Sequence, residues 1–194
     1  MTKRTCSVDG CHRSIRSREV CVVHFLDVLT AEERQQRLDR AHANFWSKVH
    51  KTGEFWEWAG ALYGNGYGAF RGPDGRVTVA HRYAFEEAFG AIDAKADIDH
   101  RCGNTRCVRP GHLRSATRKQ NMEHRVSSNR NNRSGYRGVY FADGAWNVMV
   151  RHNYKAHYLR GFRTPEEANE AAIALRNELF SYNDRDRSTT ATAA

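Results

Sequence analysis

Four potential metal ligands, Cys6, Cys11, Cys21 and His24, fall within nineteen residues near the start of the chain, separated by a loop carrying Arg13, Arg16 and Arg18. A segment that short cannot bury an independent core, so a bound ion must supply its folding free energy. Three thiolates and an imidazole make a closed tetrahedral set of the kind that holds structural zinc. The expectation for residues 1–28 is therefore a Cys3His zinc knuckle, with chance cysteines in a flexible tail as its alternative. The chain opens on polar sequence rather than the apolar core of a signal peptide, and its cysteine total, five, is odd. Both features favour metal ligation over disulfides and a cytoplasmic setting.

The motif spacing over 194 residues favours several small modules rather than one large domain. No run approaches the roughly eighteen apolar residues of a membrane span. Charge placement is more informative. Between Arg101 and Arg133 nine basic residues face one acid, Glu123, so this stretch carries +8 of the formal +9. Such a strip suits a polyanion held by phosphate contacts, the alternative being a solvated basic face.

Inside that strip, Asp99-His100 is followed by Cys102, Cys107, His112 and Asn121. A carboxylate beside a histidine, with a second oxygen ligand about twenty residues on, can hold a divalent cation while the imidazole deprotonates a water. His100 is the candidate base. Asp99 and Asn121 are candidate oxygen ligands to Mg²⁺ or Mn²⁺, which prefer carboxylate and carbonyl groups to thiolates. Cys102, Cys107 and His112 have ligand types suited to a second zinc. Three ligands do not close a structural site, and the fourth is His81, a water or nothing. The cysteines are otherwise buried small hydrophobes.

The segment from Asp99-His100 through Cys102, Cys107, Pro110, His112 and Leu113, then Thr117 and Asn121, resembles the HNH (His-Me finger) homing-type endonucleases. The likeness extends upstream to Phe45-Trp46, Trp56-Glu57-Trp58, Gly66-Tyr67-Gly68 and Ala80-His81-Arg82-Tyr83, and so spans residues 45–125. The resemblance implies that His100 is the base, that Asp99 and Asn121 hold the catalytic metal, and that His112 is the middle position of the motif. Relatives with the paired cysteines commonly carry another cysteine before Trp-x-Trp, where Phe55 stands here. The N-terminal ligand set similarly resembles short zinc-binding segments ahead of some phage nucleases.

Thr30 and Glu33 form a capping box at the head of a helix over residues 30–49, with Leu38, Phe45, Trp46 and Val49 on it. A hairpin is expected where residues 67–71 pair with 76–80 across Pro73-Asp74-Gly75, then a helix over 81–89 stopped by Gly90. A strand at 98–100, a loop at 105–110 and a helix over 118–126 complete a ββα-metal arrangement. Residues 127–134 have no apolar side chain and read as a linker.

Beyond it, Gly135-Tyr136-Arg137-Gly138-Val139-Tyr140, Trp146, Arg151, Tyr158-Leu159, Gly161-Phe162 and Thr164-Pro165-Glu166-Glu167-Ala168 resemble the AP2 DNA-binding domain of plant transcription factors, also found appended to phage HNH endonucleases. The pattern carries the same fold unaided. Trp146, Val148 and Val150 alternate with Asn147, Met149 and Arg151, and turns at Asp143-Gly144 and Asn153 separate three strands. Thr164 caps a helix with Pro165 at its first position and Glu167 closing a capping box. Ala168, Ala171, Ala172, Leu175 and Leu179 make the stripe that covers the sheet. Arg137, Tyr140, Met149, Arg151, Tyr158 and Arg160 are the expected DNA-facing set, with Arg137 and Arg151 foremost, since arginine reads guanine bidentately in the major groove. The AP2 pattern has arginine where Tyr140 stands and glycine where Arg160 stands, so base preference does not carry over.

The expectation is an α+β protein: a knuckle (1–28), a helical spacer (29–52), a nuclease core (53–126), a linker (127–134), an AP2-like three-stranded sheet plus helix (135–182) and a disordered tail (183–194). Its function is expected to be one-metal hydrolysis of double-stranded DNA, by a monomer or a DNA-induced dimer, with no membrane partner. The rivals are a non-catalytic DNA-binding regulator and an RNA-directed nuclease.

Overall fold

The computed structural model describes residues 5–15, 18–21, 23–124, 132–184 and 186–187. The linker expected at 127–134 therefore lies outside the described residues up to 131, as does most of the tail. The chain is mixed α/β, with four small antiparallel or two-stranded sheets among the described residues. It divides into two compact units, Met1–Ile92 with Asn104–Arg114, and Asp93–Gly103 with Ser115–Ala194. The division runs through the stretch expected to form one nuclease core.

In the first unit, Cys6, Val20, Cys21, Phe25 and Leu29 pack into a small cluster that leads into α1 (Ala31–Trp46). The capping box at Thr30 and Glu33 is formed, which satisfies backbone donors at the helix start. The helix ends sooner than expected. Val49 lies instead in β1 (Val49–Thr52), which pairs with β2 (Phe55–Trp58) in a hairpin, because the β-branched and aromatic residues flanking Gly53 favour extended pairing. β3 (Ala69–Arg71) and β4 (Val77–Val79) form the expected second hairpin, and α2 (Ala80–Phe89) stops at Gly90.

These elements close around Phe45, which is fully buried. Its ring stacks on Trp58 at 5.0 Å and meets Phe70 at 5.0 Å and Tyr83 at 4.7 Å. Gly68 makes the close approach possible, since a Cβ there would lie 2.6 Å from the Trp58 ring and 2.8 Å from Ala80. The segment after Asn104 runs along β2, where Trp58 N donates to Arg106 O and Val108 N to Trp56 O. A 3-10 turn, Pro110–His112, packs on α2.

In the second unit, β5 (Asp97–His100) pairs with β6 (Leu113–Ala116), whose second half belongs to the same unit, and α3 (Arg118–Glu123) packs on β5. The helix ends at Glu123 with His124 as its C-cap, short of the expected 126. β7 (Val139–Ala142), β8 (Ala145–His152) and β9 (Lys155–Phe162) form a three-stranded antiparallel sheet in sequence order. α4 (Pro165–Leu179) covers it, burying Ala168 and Ala172 against Val139, Val148 and Val150. Thr164 caps α4 through Glu167 N, but the Glu167 carboxylate accepts from Arg163 N rather than closing a box. Gly138, at φ +79°, lets the chain enter β7 under β8, because a Cβ would meet Met149 O at 2.8 Å.

The start of the tail departs from the disorder expected over 183–194. Asn183 is 3% exposed and donates to Asn177, and Asp186 accepts from the buried Arg176 Nε at 2.6 Å. A buried guanidinium needs a carboxylate, and the residues after α4 supply it.

Candidate active site

β5 and α3 meet through two polar rungs. Asn121 Nδ2 donates to Asp97 Oδ2 at 2.9 Å, and His124 Nδ1 donates to Asp99 Oδ1 at 2.9 Å. Asp97 and Asp99 are two apart on a strand, about 6.6 Å along it; Asn121 and His124 are three apart on one helical face, about 4.5 Å along the axis. The spacings are close enough for α3 to run alongside β5 in the same direction. Arg118 adds a 3.3 Å contact to Asp97 from an exposed position, which contributes little.

Of the three expected reaction-centre residues, Asp99 and His100 are both buried at the end of β5, and the His100 carbonyl accepts from Gly103 N in the following turn. Asn121 sits half-buried on the helix packed against that strand. An ionised carboxylate only accepts, so Asp97 must face the amide nitrogen, and the Asn121 carbonyl oxygen is turned the other way. A carboxylate such as that of Asp99 and an amide carbonyl such as that of Asn121 are ligand types a hard divalent cation takes. Asp97 and His124 escaped the sequence reading. Their signals were the i, i+2 spacing of Asp97 from Asp99 and the i, i+3 spacing of His124 from Asn121.

The N-terminal ligands converge: the ligand atoms of Cys6, Cys11, Cys21 and His24 all lie within 4.8 Å of one another. Zn–S and Zn–N bonds of about 2.3 and 2.0 Å give tetrahedral edges of about 3.8 Å between sulfurs and about 3.5 Å between sulfur and nitrogen. Cys11 Sγ and Cys21 Sγ are 3.8 Å apart, and His24 Nδ1 is 3.4 Å from Cys6 Sγ and 3.7 Å from Cys21 Sγ. Burial opposes ionisation of Cys21, but backbone N–H groups of His24 and Val23 outweigh it and hold the thiol below its ordinary value. Cys6 is lowered in the same way against burial, by N–H groups of Cys21 and Val8. Cys11 moves oppositely: the Arg13 backbone N–H lowers it, but burial and the Cys21 and Cys6 sulfurs together outweigh that and hold the thiol above its ordinary value. A bound cation would offset the mutual repulsion of three such thiolates.

In the second set, Cys107 is fully buried with its Sγ 3.6 Å from His112 Nδ1, and the Phe55 ring packs edge-on against His112 at 5.6 Å. Cys102 lies on the turn after β5, five residues before Cys107. His81, weighed as a fourth ligand, instead sets its ring against Tyr67 at 5.4 Å and joins no group of close-set ligand atoms among the described residues.

On the three-stranded sheet, Met149 pairs with Tyr158, Arg151 with Ala156 and Tyr140 with Asn147, so Tyr140, Met149, Arg151, Tyr158 and Arg160 share the face opposite α4. Arg160 lies over the Tyr158 ring at 5.6 Å. Arg137 corrects the expected set. Its guanidinium donates to Glu123 O at 2.9 Å and Met122 O at 3.3 Å and covers the Phe180 ring, because the last carbonyls of α3 lack helical partners and a cation there satisfies them.

Residues 78–123 match the family model for HNH endonuclease, a span that contains Asp99, His100, His112 and Asn121. Two curated proteins of Escherichia phage T7 are similar. Protein 7.7 is 34% identical over 74 residues, 38% of this chain and 56% of that protein. Protein 2.8 is 33% identical over 91 residues, 46% of this chain and 60% of that protein. The chain thus spans a little over half the length of these relatives. No solved structure matches it significantly. Among the described residues no helix is long and apolar enough to cross a membrane.

Proposed function

We propose that this chain is a DNA endonuclease that hydrolyses phosphodiester bonds by one-metal HNH chemistry. The observation that carries the reading is the HNH endonuclease match over residues 78–123, a span that holds Asp99-His100 and Asn121, with Asp99 hydrogen-bonded by His124 and Asn121 by Asp97. Asp99 and Asn121 hold Mg²⁺ or Mn²⁺ in this reading. That cation supplies charge neutralisation at the phosphate and at the departing 3′ oxygen. His100 accepts the proton of the attacking water. The new bond forms between the water oxygen and phosphorus, the bond to the 3′ oxygen breaks, that oxygen takes a proton from solvent water, and the products are a 5′ phosphate and a 3′ hydroxyl.

The sheet face of Tyr140, Met149, Arg151, Tyr158 and Arg160, on a module that resembles AP2 domains, contacts double-stranded DNA and positions the nuclease. Cys6, Cys11, Cys21 and His24 hold one structural zinc, supported by ligand spacings that match tetrahedral edges.

Supercoiled plasmid incubated with the protein and Mg²⁺ or Mn²⁺, with and without EDTA, tests the reading. Nicked or linear product that EDTA suppresses supports it. Retarded but uncut plasmid under both metals overturns it in favour of a binder.

A further inference from the structure

We propose that His124 is a positioning residue for Asp99, and that the C-terminal module holds it there by gripping the last turn of α3. The proposal rests on the reading of Asp99 as a metal ligand and adds residues that lie outside the HNH motif.

The His124 side chain is 4% exposed and lies between two carboxylates. Nδ1 is 2.9 Å from Asp99 Oδ1, and Nε2 is 4.0 Å from Asp184 Oδ2. Since Asp99 can only accept, Nδ1 carries the hydrogen. A buried donor on one carboxylate oxygen fixes the rotation of the group. Outer partners of this kind orient metal ligands elsewhere in proteins.

His124 is itself fixed because the helix end it caps is clamped. Arg137 takes the carbonyls of Met122 and Glu123, and Arg176 Nη1 in turn holds the Arg137 carbonyl at 2.7 Å. The buried Glu123 carboxylate accepts from Ser181 N at 3.2 Å and Ser181 Oγ at 3.1 Å. On its other oxygen it lies 3.6 Å from His152 Nε2 and 3.5 Å from Lys119 Nζ. A six-residue helix is marginal alone. The residues before β7, on β8 and after α4 supply the contacts that hold it, so the module expected to bind DNA also sets the geometry of the reaction centre.

The test uses the full-length, zinc-loaded protein as wild type, His124→Ala and His124→Asn, the last keeping a short donor toward Asp99. Mn²⁺ binding is followed without DNA by loss of the free-ion EPR signal, beside the thermal midpoint and DNA cleavage. His124→Ala is expected to weaken Mn²⁺ binding and cleavage ~10–100-fold, with excess Mn²⁺ recovering cleavage and His124→Asn recovering both. Wild-type Mn²⁺ affinity in His124→Ala overturns the proposal, as does an equal loss of folding and activity in both variants. A wild-type protein that shows no metal-dependent cleavage defeats the endonuclease reading itself, a result distinct from either.

Discussion

The side-chain amide of Asn121 donates to Asp97 at 2.9 Å, and that bond decides which end of the amide faces away from β5. Asp97→Ala frees the amide to rotate. Cleavage should fall ~10–100-fold, the range for losing a group that orients a metal ligand, while gel retardation of DNA in EDTA is unchanged. Wild-type cleavage by Asp97→Ala rejects the orienting role.

The N-terminal ligands should make zinc a folding partner. Elemental analysis of the purified protein is expected to find zinc, and Cys21→Ser to lower it by one equivalent. Chelation should then expose amides around Val20, Phe25 and Leu29 to hydrogen exchange while those around Phe45 stay protected. No zinc in the protein, together with unchanged exchange on adding chelator, contradicts the assignment.

Arg137 and the sheet-face arginines should part company in a salt titration of DNA binding. Arg151→Ala and Arg160→Ala are each expected to weaken binding and to lower the salt slope by about 1 if they contact phosphate. Arg137→Ala should leave that slope alone and lower the thermal midpoint, because its guanidinium is committed to the Met122 and Glu123 carbonyls. A reduced slope in Arg137→Ala, or an unchanged one in both others, reverses the placement.

Local chemistry carried much of the fold into view. Thr30 with Glu33, Pro165 after Thr164, and the alternation through Trp146, Val148 and Val150 each marked an element whose stabilising contacts are close in sequence. The β1–β2 hairpin was hidden because Phe45, Trp46 and Val49 share a helical spacing, although Val49 pairs with Trp58. At the candidate site, Asp99, His100 and Asn121 stood out by residue type, whereas their supports did not. His124 looks like a surface residue until Asp99, twenty-five positions back, is placed beside it. Arg137 looks like a DNA-reading arginine until the carbonyls of α3, fourteen and fifteen positions back, are seen to need a donor.

Glu33 gives a pH signature away from the site. The Arg18 guanidinium, which donates at 2.6 and 2.9 Å, and then the Thr30 backbone N–H, hold its carboxyl at about 2 against an ordinary 4.5. The folded state therefore releases this proton more readily than the unfolded one. The stabilisation is complete above about 4.5 and is lost as pH falls through about 2. Glu33→Gln keeps the side-chain oxygen of the capping box and removes the charge. The gap in thermal midpoint between wild type and Glu33→Gln should close as pH falls through that window; a gap that stays constant contradicts the pairing.

The most direct measurement is cleavage of a saturated DNA complex by His100→Ala beside wild type, in Mg²⁺ and in Mn²⁺. With His100 as the base, the variant should bind DNA as wild type does and cut it ~10²–10⁴-fold more slowly. Wild-type cutting rates in His100→Ala contradict the account.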